Sequence, residues 1–160
     1  FLAVEACAAL VACFHRNRAS AAADTTDFFR DRVLWVSRLR IVESEALTIV
    51  EQARAKAAAA VRCYFQENAP LGDDGPQIVE WHEGMEMPPH VDNAHPDGAT
   101  HPTPWRKYAV VVYLNDAFCG GELSFPARRA YVVPATGLMV AFRGSEPHGV
   151  TRVRSGRRYT

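Results

Sequence analysis

The stretch His90-Val91-Asp92-Asn93 decides how the rest of this chain is read. On an extended segment alternate side chains leave the same face, so His90 and Asp92 point together. Alone, the pair reads as a surface pair, or Asp92 as the cap of a turn through Asn93, Pro96, Asp97 and Gly98. His148 and Arg158 downstream change that reading. Two imidazoles and one carboxylate occupy one face of an octahedral metal and leave three positions open, a donor set suited to non-haem Fe(II). His148 has to arrive from a distant strand, so the fold must return the chain to the same spot.

The texture around this stretch is that of short strands. Gln77 to His82 begins them after a loop, Asn68 to Pro76, that is rich in Pro, Gly and Asp. Lys107 to Asn115 predicts a buried strand. Gly120-Gly121 opens a strand at Glu122 to Phe125. Ala130 to Val133, Gly137 to Phe142, His148 to Val153 and Arg157 onward complete the set. The first half is different. Leu2, Ala6, Leu10, Cys13 and Phe14 recur at helical spacing, which predicts a helix over Val4 to Arg18. Asp24 to Asp27 is a polar break and a candidate N-cap region. Phe28 to Leu39 is ambiguous, with Phe29, Val33, Leu34 and Trp35 as anchors. Ser44 to Glu67 is the clearest helix, with Ser44 and Glu45 as caps and a stripe of Leu47, Val50, Ala53, Ala57, Val61 and Phe65. Arg54, Lys56 and Arg62 form its solvated face. Helices first and then at least six short strands predict helices packed outside a β-sandwich or barrel.

At 160 residues the chain has the size of one domain. Its 48% hydrophobic and 22% charged content are those of an ordinary globular protein. Lys plus Arg equals Asp plus Glu at 18 each, so no basic excess points to nucleic acid. Cys7, Cys13, Cys63 and Cys119 form no CxxC pair and are read as reduced thiols in a cytoplasmic protein. Phe1 to Phe14 is interrupted by Glu5 and has no basic flank, which fits neither a membrane span nor a signal peptide. The chain starts without Met and stops in mid-pattern at Thr160, so residues are expected beyond both ends.

Taken in order, His90-x-Asp92, Tyr113-Leu114-Asn115, Gly120-Gly121-Glu122-Leu123, Phe142, His148 and Arg158 resemble the Fe(II)/2-oxoglutarate dioxygenases. Within them the pattern resembles the prolyl hydroxylase-type catalytic domain. His90-Val91-Asp92-Asn93 resembles both the hypoxia-sensing and the leprecan-type prolyl hydroxylases, and Tyr108 to Asn115 with His148-Gly149-Val150 looks especially like the latter. The resemblance covers Ile78 to Thr160 and implies an α+β fold, a double-stranded β-helix (jelly roll) with the N-terminal helices packed on one sheet. It implies a single catalytic domain over 1–160, with a helical support region at 1–76 and the jelly-roll core at 77–160, its final strand truncated.

The resemblance also implies roles. His90, Asp92 and His148 hold the metal, and Arg158 takes the far carboxylate of 2-oxoglutarate. Arg157 competes with Arg158, but strand neighbours face opposite ways and only one can point inward. Tyr113 matches a tyrosine that binds the same carboxylate, with a core aromatic as the plain alternative. Thr160 resembles the end of an Arg-x-Ser/Thr element. Met87 stands where many relatives carry a 2-oxoglutarate-binding tyrosine. Trp81, Trp105 and Asn93 are candidate substrate contacts, Trp81 at the mouth. His95 to Trp105 is read as a lid or substrate loop, with His95, His101, His82 and His15 as solvated side chains rather than ligands. Asp92 is retained where related halogenases carry Ala or Gly, which implies hydroxylation. The implied cofactors are Fe(II), 2-oxoglutarate and O2, with ascorbate as an accessory. The implied partner is a prolyl residue of a peptide or protein. A free or carrier-bound amino acid, or a metal-binding module without turnover, are the competing readings.

Overall fold

A computed structural model describes residues 1–21, 31–36, 44–95 and 99–160. Three helices lie in the first half: α1 (Val4–Arg16), α2 (Arg18–Ala21) and α3 (Ser44–Phe65). The strands are β1 (Val33–Trp35), β2 (Gln77–Trp81), β3 (Met87–His90), β4 (Tyr108–Val112), β5 (Phe118–Gly120), β6 (Leu123–Phe125), β7 (Ala130–Val132), β8 (Met139–Arg143), β9 (His148–Val150), β10 (Val153–Gly156) and β11 (Arg158–Tyr159).

Helix α1 buries Cys7, Leu10, Cys13 and Phe14, the stripe that helical spacing places on one face. It ends at Arg16, two residues before the expected end, with Asn17 as its C-cap. The Asn17 side chain donates to the Cys13 carbonyl at 2.9 Å and takes up the end of the helix. Helix α3 turns Ala46, Val50 and Val61 inward. Its Arg54 faces out and pairs with Glu51 and Asp73. The helices bury their stripes against Leu34, Val36, Ile78, Leu114 and Tyr159 in one apolar cluster. The N-terminal helices therefore pack on a single sheet, and Val33–Trp35 settles the ambiguous stretch there as a strand. The other anchor of that stretch, Phe29, the polar break Asp24 to Asp27, the segment just before Ser44 and the turn residues Pro96 to Gly98 lie outside the described residues.

That sheet runs β1-β2-β11. It continues onto the β4-β8 pair through the Leu114 N–H, which donates to the Tyr159 carbonyl at 2.9 Å, and through Asn115. The Asn115 side chain donates to the Arg157 carbonyl at 2.7 Å and accepts from the Tyr159 N–H at 2.8 Å. The second sheet has the order β3-β9-β6-β7, and β10 pairs with β5. Antiparallel pairing of strands far apart in sequence, on two facing sheets, is the jelly-roll arrangement of an α+β chain.

Three strand expectations need correction. Lys107 to Asn115 is not buried along its length: Tyr113 and Leu114 are buried, whereas Val110 is exposed. Gly120-Gly121 does not simply open a strand. Phe118–Gly120 is itself a strand, and the two glycines, at φ +77° and +65°, turn the chain into β6. His148 to Val153 divides in two, since the Val153 N–H leaves the β3/β9/β6 ladder and donates to the Met85 carbonyl at 2.8 Å. The four cysteines are free, Cys7 and Cys13 buried, Cys63 and Cys119 exposed. Among the described residues no helix is long and apolar enough to cross a membrane.

Candidate active site

His90 is the last residue of β3 and His148 the first of β9, and the two are direct partners across the ladder. Their rings lie 4.4 Å apart, centre to centre. Asp92 follows just beyond the strand end. Its N–H donates to the Gly144 carbonyl at 2.7 Å, and its own carbonyl accepts from the Thr103 hydroxyl at 2.8 Å, so the backbone is held from both sides. Asp92 Oδ1 sits 3.7 Å from Nε2 of His90 and 3.7 Å from Nε2 of His148. The three ligand atoms all lie within 4.8 Å of one another.

Each imidazole is aimed by its other nitrogen. His90 Nδ1 meets the Pro88 carbonyl at 3.0 Å, and His148 Nδ1 meets the Glu146 carbonyl at 2.9 Å. A carbonyl only accepts, so Nδ1 carries the proton in each neutral ring and each Nε2 lone pair is left for the space shared with the Asp92 carboxylate. The electrostatics follow. Burial pushes the His148 pKa down, despite the Glu146 carbonyl and the charge of Asp92. The neighbouring Asp92 carboxylate raises that of His90 against burial. Burial would lift Asp92, but the neighbouring His90 and the charges of His148 and Arg106 bring it below the ordinary carboxylate value. Neutral imidazole and carboxylate are the forms that bind a divalent ion. Donor type, number, convergence and tautomer all fit an Fe(II) ion.

The second pole lies on β11. Arg158 is only 2% exposed, and its guanidinium lies 5.1 Å from the Trp81 ring centre and 5.2 Å from that of Tyr113. The Tyr113 hydroxyl accepts from the Leu123 N–H at 3.2 Å. Gly121 leaves room for the arginine: a Cβ there would come within 2.9 Å of Arg158 Cδ. Burial lowers the Arg158 pKa, partly opposed by Tyr113. Among the described residues no carboxylate pairs with it, and Nε lacks a hydrogen-bond partner. A buried guanidinium without a counter-charge is costly, so the pocket suits an incoming carboxylate. Arg157 points the other way, with its side chain 52% exposed and bonded to Glu80 at 2.8 Å.

The remaining candidates are scattered. Trp81 is not at a mouth. It is 5% exposed and packs with Val150 and Val153 beside Arg158, its register partner on β11. Trp105 is 66% exposed and donates to Asp74 at 3.1 Å. Asn93 spends its amide on the Arg106 carbonyl at 3.0 Å, bracing the loop beside Asp92. Thr160 is tied by its backbone to Val79 in both directions. Met87 packs beside Trp81 and Val150. His95 and His101 stack on each other at 4.5 Å, His82 pairs with Glu80, and His15 meets the Tyr159 hydroxyl. An open groove of about 660 Å³ crosses β3, β6 and β7, and none of the three triad residues lines it. Sequence reasoning overlooked Glu80, which nothing local marks, and named Gly121 as a motif and turn residue without its place beside Arg158.

Comparison with known proteins places this geometry. Residues 76–160 match the family model of the 2OG-Fe(II) oxygenase superfamily. The chain is 34% identical over 121 residues to prolyl 3-hydroxylase 3 of Mus musculus, an alignment that covers 61% of this chain and 16% of that protein, so the chain spans about a sixth of its length. In fold it is similar to the viral collagen prolyl hydroxylase of Paramecium bursaria Chlorella virus-1, with a TM-score of 0.74 at 16% identity, over 99% of this chain and 87% of the other. A Pseudomonas putida prolyl-4-hydroxylase gives a TM-score of 0.70 at 21% identity, over 99% and 84%. The jelly roll and the matched family thus agree: the chain belongs to the 2OG-Fe(II) oxygenase superfamily, whose cofactors are Fe(II), 2-oxoglutarate and O2.

Proposed function

We propose that this chain is one catalytic domain that hydroxylates a C–H bond, with a prolyl residue of a peptide or protein as the substrate. In this reading residues 1–76 support the jelly roll at 77–160. His90, Asp92 and His148 hold Fe(II), and Arg158 with Tyr113 receives the far carboxylate of 2-oxoglutarate. The observation that carries the reading is the pairing of a convergent two-imidazole, one-carboxylate set with a buried arginine that lacks a carboxylate partner among the described residues. The bound Fe(II) and cosubstrate supply the oxidation: R–H, O2 and 2-oxoglutarate become R–OH, succinate and CO2.

This chain's residues bind and orient. Arg158 fixes one end of the cosubstrate by a charge-assisted contact between aromatic walls that keep water out. His90 and His148 keep their Nε2 lone pairs free because their protons are committed to Pro88 and Glu146. Asp92 supplies the third donor, the position a halogenase of this family leaves for chloride, which favours hydroxylation. The relatives named prolyl hydroxylases support a prolyl substrate.

The test incubates the protein with Fe(II), 2-oxoglutarate and ascorbate, offering proline-containing peptides and free proline side by side. Mass spectrometry should show one oxygen gained by a peptide. Oxygen gained only by free proline would move the substrate to a small metabolite. Succinate formed with neither class oxidised would end the prolyl reading and leave the dioxygenase chemistry in place.

A further inference from the structure

The short strand that carries Arg158 has a register problem. Arg157 and Arg158 are adjacent, and β11 is only two residues long. A slip by one residue sends every side chain of a strand to the opposite face. Here such a slip would put one arginine where the other had been, so the pocket alone discriminates poorly between the two alignments. Something on the outer face has to do it.

Glu80 lies there. It is fully buried, on β2, and directly opposite Tyr159 in the antiparallel ladder. Its carboxylate accepts from the Tyr159 hydroxyl at 2.6 Å and from Arg157 at 2.8 Å. His82 Nε2 is 3.1 Å away, and Arg18 of α2 also donates to the carboxylate. Tyr159 in turn packs edge-on against Phe14 of α1 and meets His15 at 3.2 Å. The backbone of Glu80 is braced as well, with Arg32 reaching its carbonyl at 3.0 Å. One carboxylate thus ties both outward-facing neighbours of Arg158 to the helical layer.

We propose that Glu80 is a positioning residue for the cosubstrate arginine: by holding Arg157 and Tyr159 on the outer face of β11, it sets the register that sends Arg158 into the pocket. The inference rests on the assignment of Arg158 to 2-oxoglutarate. Under a slip, Tyr159 would turn inward, losing Glu80 and its seat on Phe14. The charge of Glu80 also makes the outer position specific for a cation plus a phenol, an order that Arg157-Arg158-Tyr159 satisfies in one alignment only.

The experiment measures 2-oxoglutarate affinity by calorimetry on the full chain loaded with Mn(II) in the absence of O2, beside metal affinity and steady-state kinetics. Glu80→Gln should weaken 2-oxoglutarate binding about tenfold, the lower end of what losing an outer partner costs an oriented ligand. Metal affinity should hold, and kcat at saturating 2-oxoglutarate should stay near that of the parent while KM for 2-oxoglutarate rises. A purely structural role would lower the folded fraction and kcat together and leave KM alone. Should Glu80→Gln fail to fold, Tyr159→Phe removes one of the same contacts while keeping the packing, and Arg157→Met removes the other from a half-exposed site. A folded set of variants with parental 2-oxoglutarate affinity overturns the proposal. Arg158→Ala run alongside separates the two levels: unchanged affinity there overturns the pocket assignment itself, whereas lost affinity there with unaffected Glu80 variants overturns the positioning role alone.

Discussion

The metal end and the arginine end of the proposed site are held by different means. Each histidine is aimed by a carbonyl two residues away, Pro88 for His90 and Glu146 for His148. Those are local devices, built into the turn or strand end that carries the ring. No local contact of that kind aims Arg158. Its direction is that of a two-residue strand, set by Trp81 across the ladder, by Tyr113 beneath and by the space at Gly121. Local aiming survives changes in distant packing, and register-dependent aiming does not. The two imidazoles should therefore lose their aim only when they or their carbonyl partners are changed, and the arginine end when either the arginine or its surroundings are disturbed.

The largest effect expected is at the metal. His90→Ala should abolish Fe(II) binding and turnover, exceeding the roughly 10–100-fold that loss of an outer partner costs. Metal titration followed by a 2-oxoglutarate decarboxylation assay measures it. Stoichiometric iron binding by a folded His90→Ala, Asp92→Ala double variant would remove the triad as the site.

Next comes the contrast between the two arginines. Arg158→Ala should weaken 2-oxoglutarate binding by about 3 kcal/mol, the scale of breaking a buried charge pair, or roughly 10²-fold. Arg157→Ala should cost far less, since its side chain is half exposed and never enters the pocket. Apparent 2-oxoglutarate affinities of the two variants decide this. A large loss in the second alone would mean that β11 carries the other register.

The smallest effect marks a region belonging to neither end. Glu67, just past α3, accepts from Lys107, from the Ala69 N–H at 3.0 Å and from the Tyr108 hydroxyl at 3.0 Å. The Lys107 hydrogen bond, first among these, pulls its pKa down from 4.5 to about 2. A depressed carboxylate stabilises the fold above its unfolded pKa, and that stabilisation disappears as pH falls through the folded value. Urea midpoints of the parent should exceed those of Glu67→Gln by a constant small margin above pH 4.5 and converge toward pH 2. A margin that persists at pH 2 would show that the contact does not depend on the charge. Affinity for 2-oxoglutarate should be the same in both proteins.

Much of the fold was legible because it was local. The stripe of α1, the long α3 and the loop at Asn68 to Pro76 follow from periodicity and from Pro and Gly, which act within a few residues. The pairing of His90 with Asp92 was legible from their spacing of two, although Asp92 lies past the end of β3 and is held there by Gly144 and Thr103. Strand ends were less so, as the division of His148 to Val153 shows, because changing partners is a property of neighbours rather than of the segment.

By itself the sequence determined the donor types, their spacing, the order of helices before strands, and the rule that only one of Arg157 and Arg158 can face inward. The tertiary structure alone decided the rest. It put Trp81 beside the arginine instead of at the mouth, and it committed Asn93 to the Arg106 carbonyl. It also made Glu80 the hub of the outer face, joined to Arg18 and Arg157 across 62 and 77 residues of chain. The reason is physical. A buried carboxylate is distinguished from a solvated one only by what surrounds it, and those surroundings come from segments that no local pattern brings together.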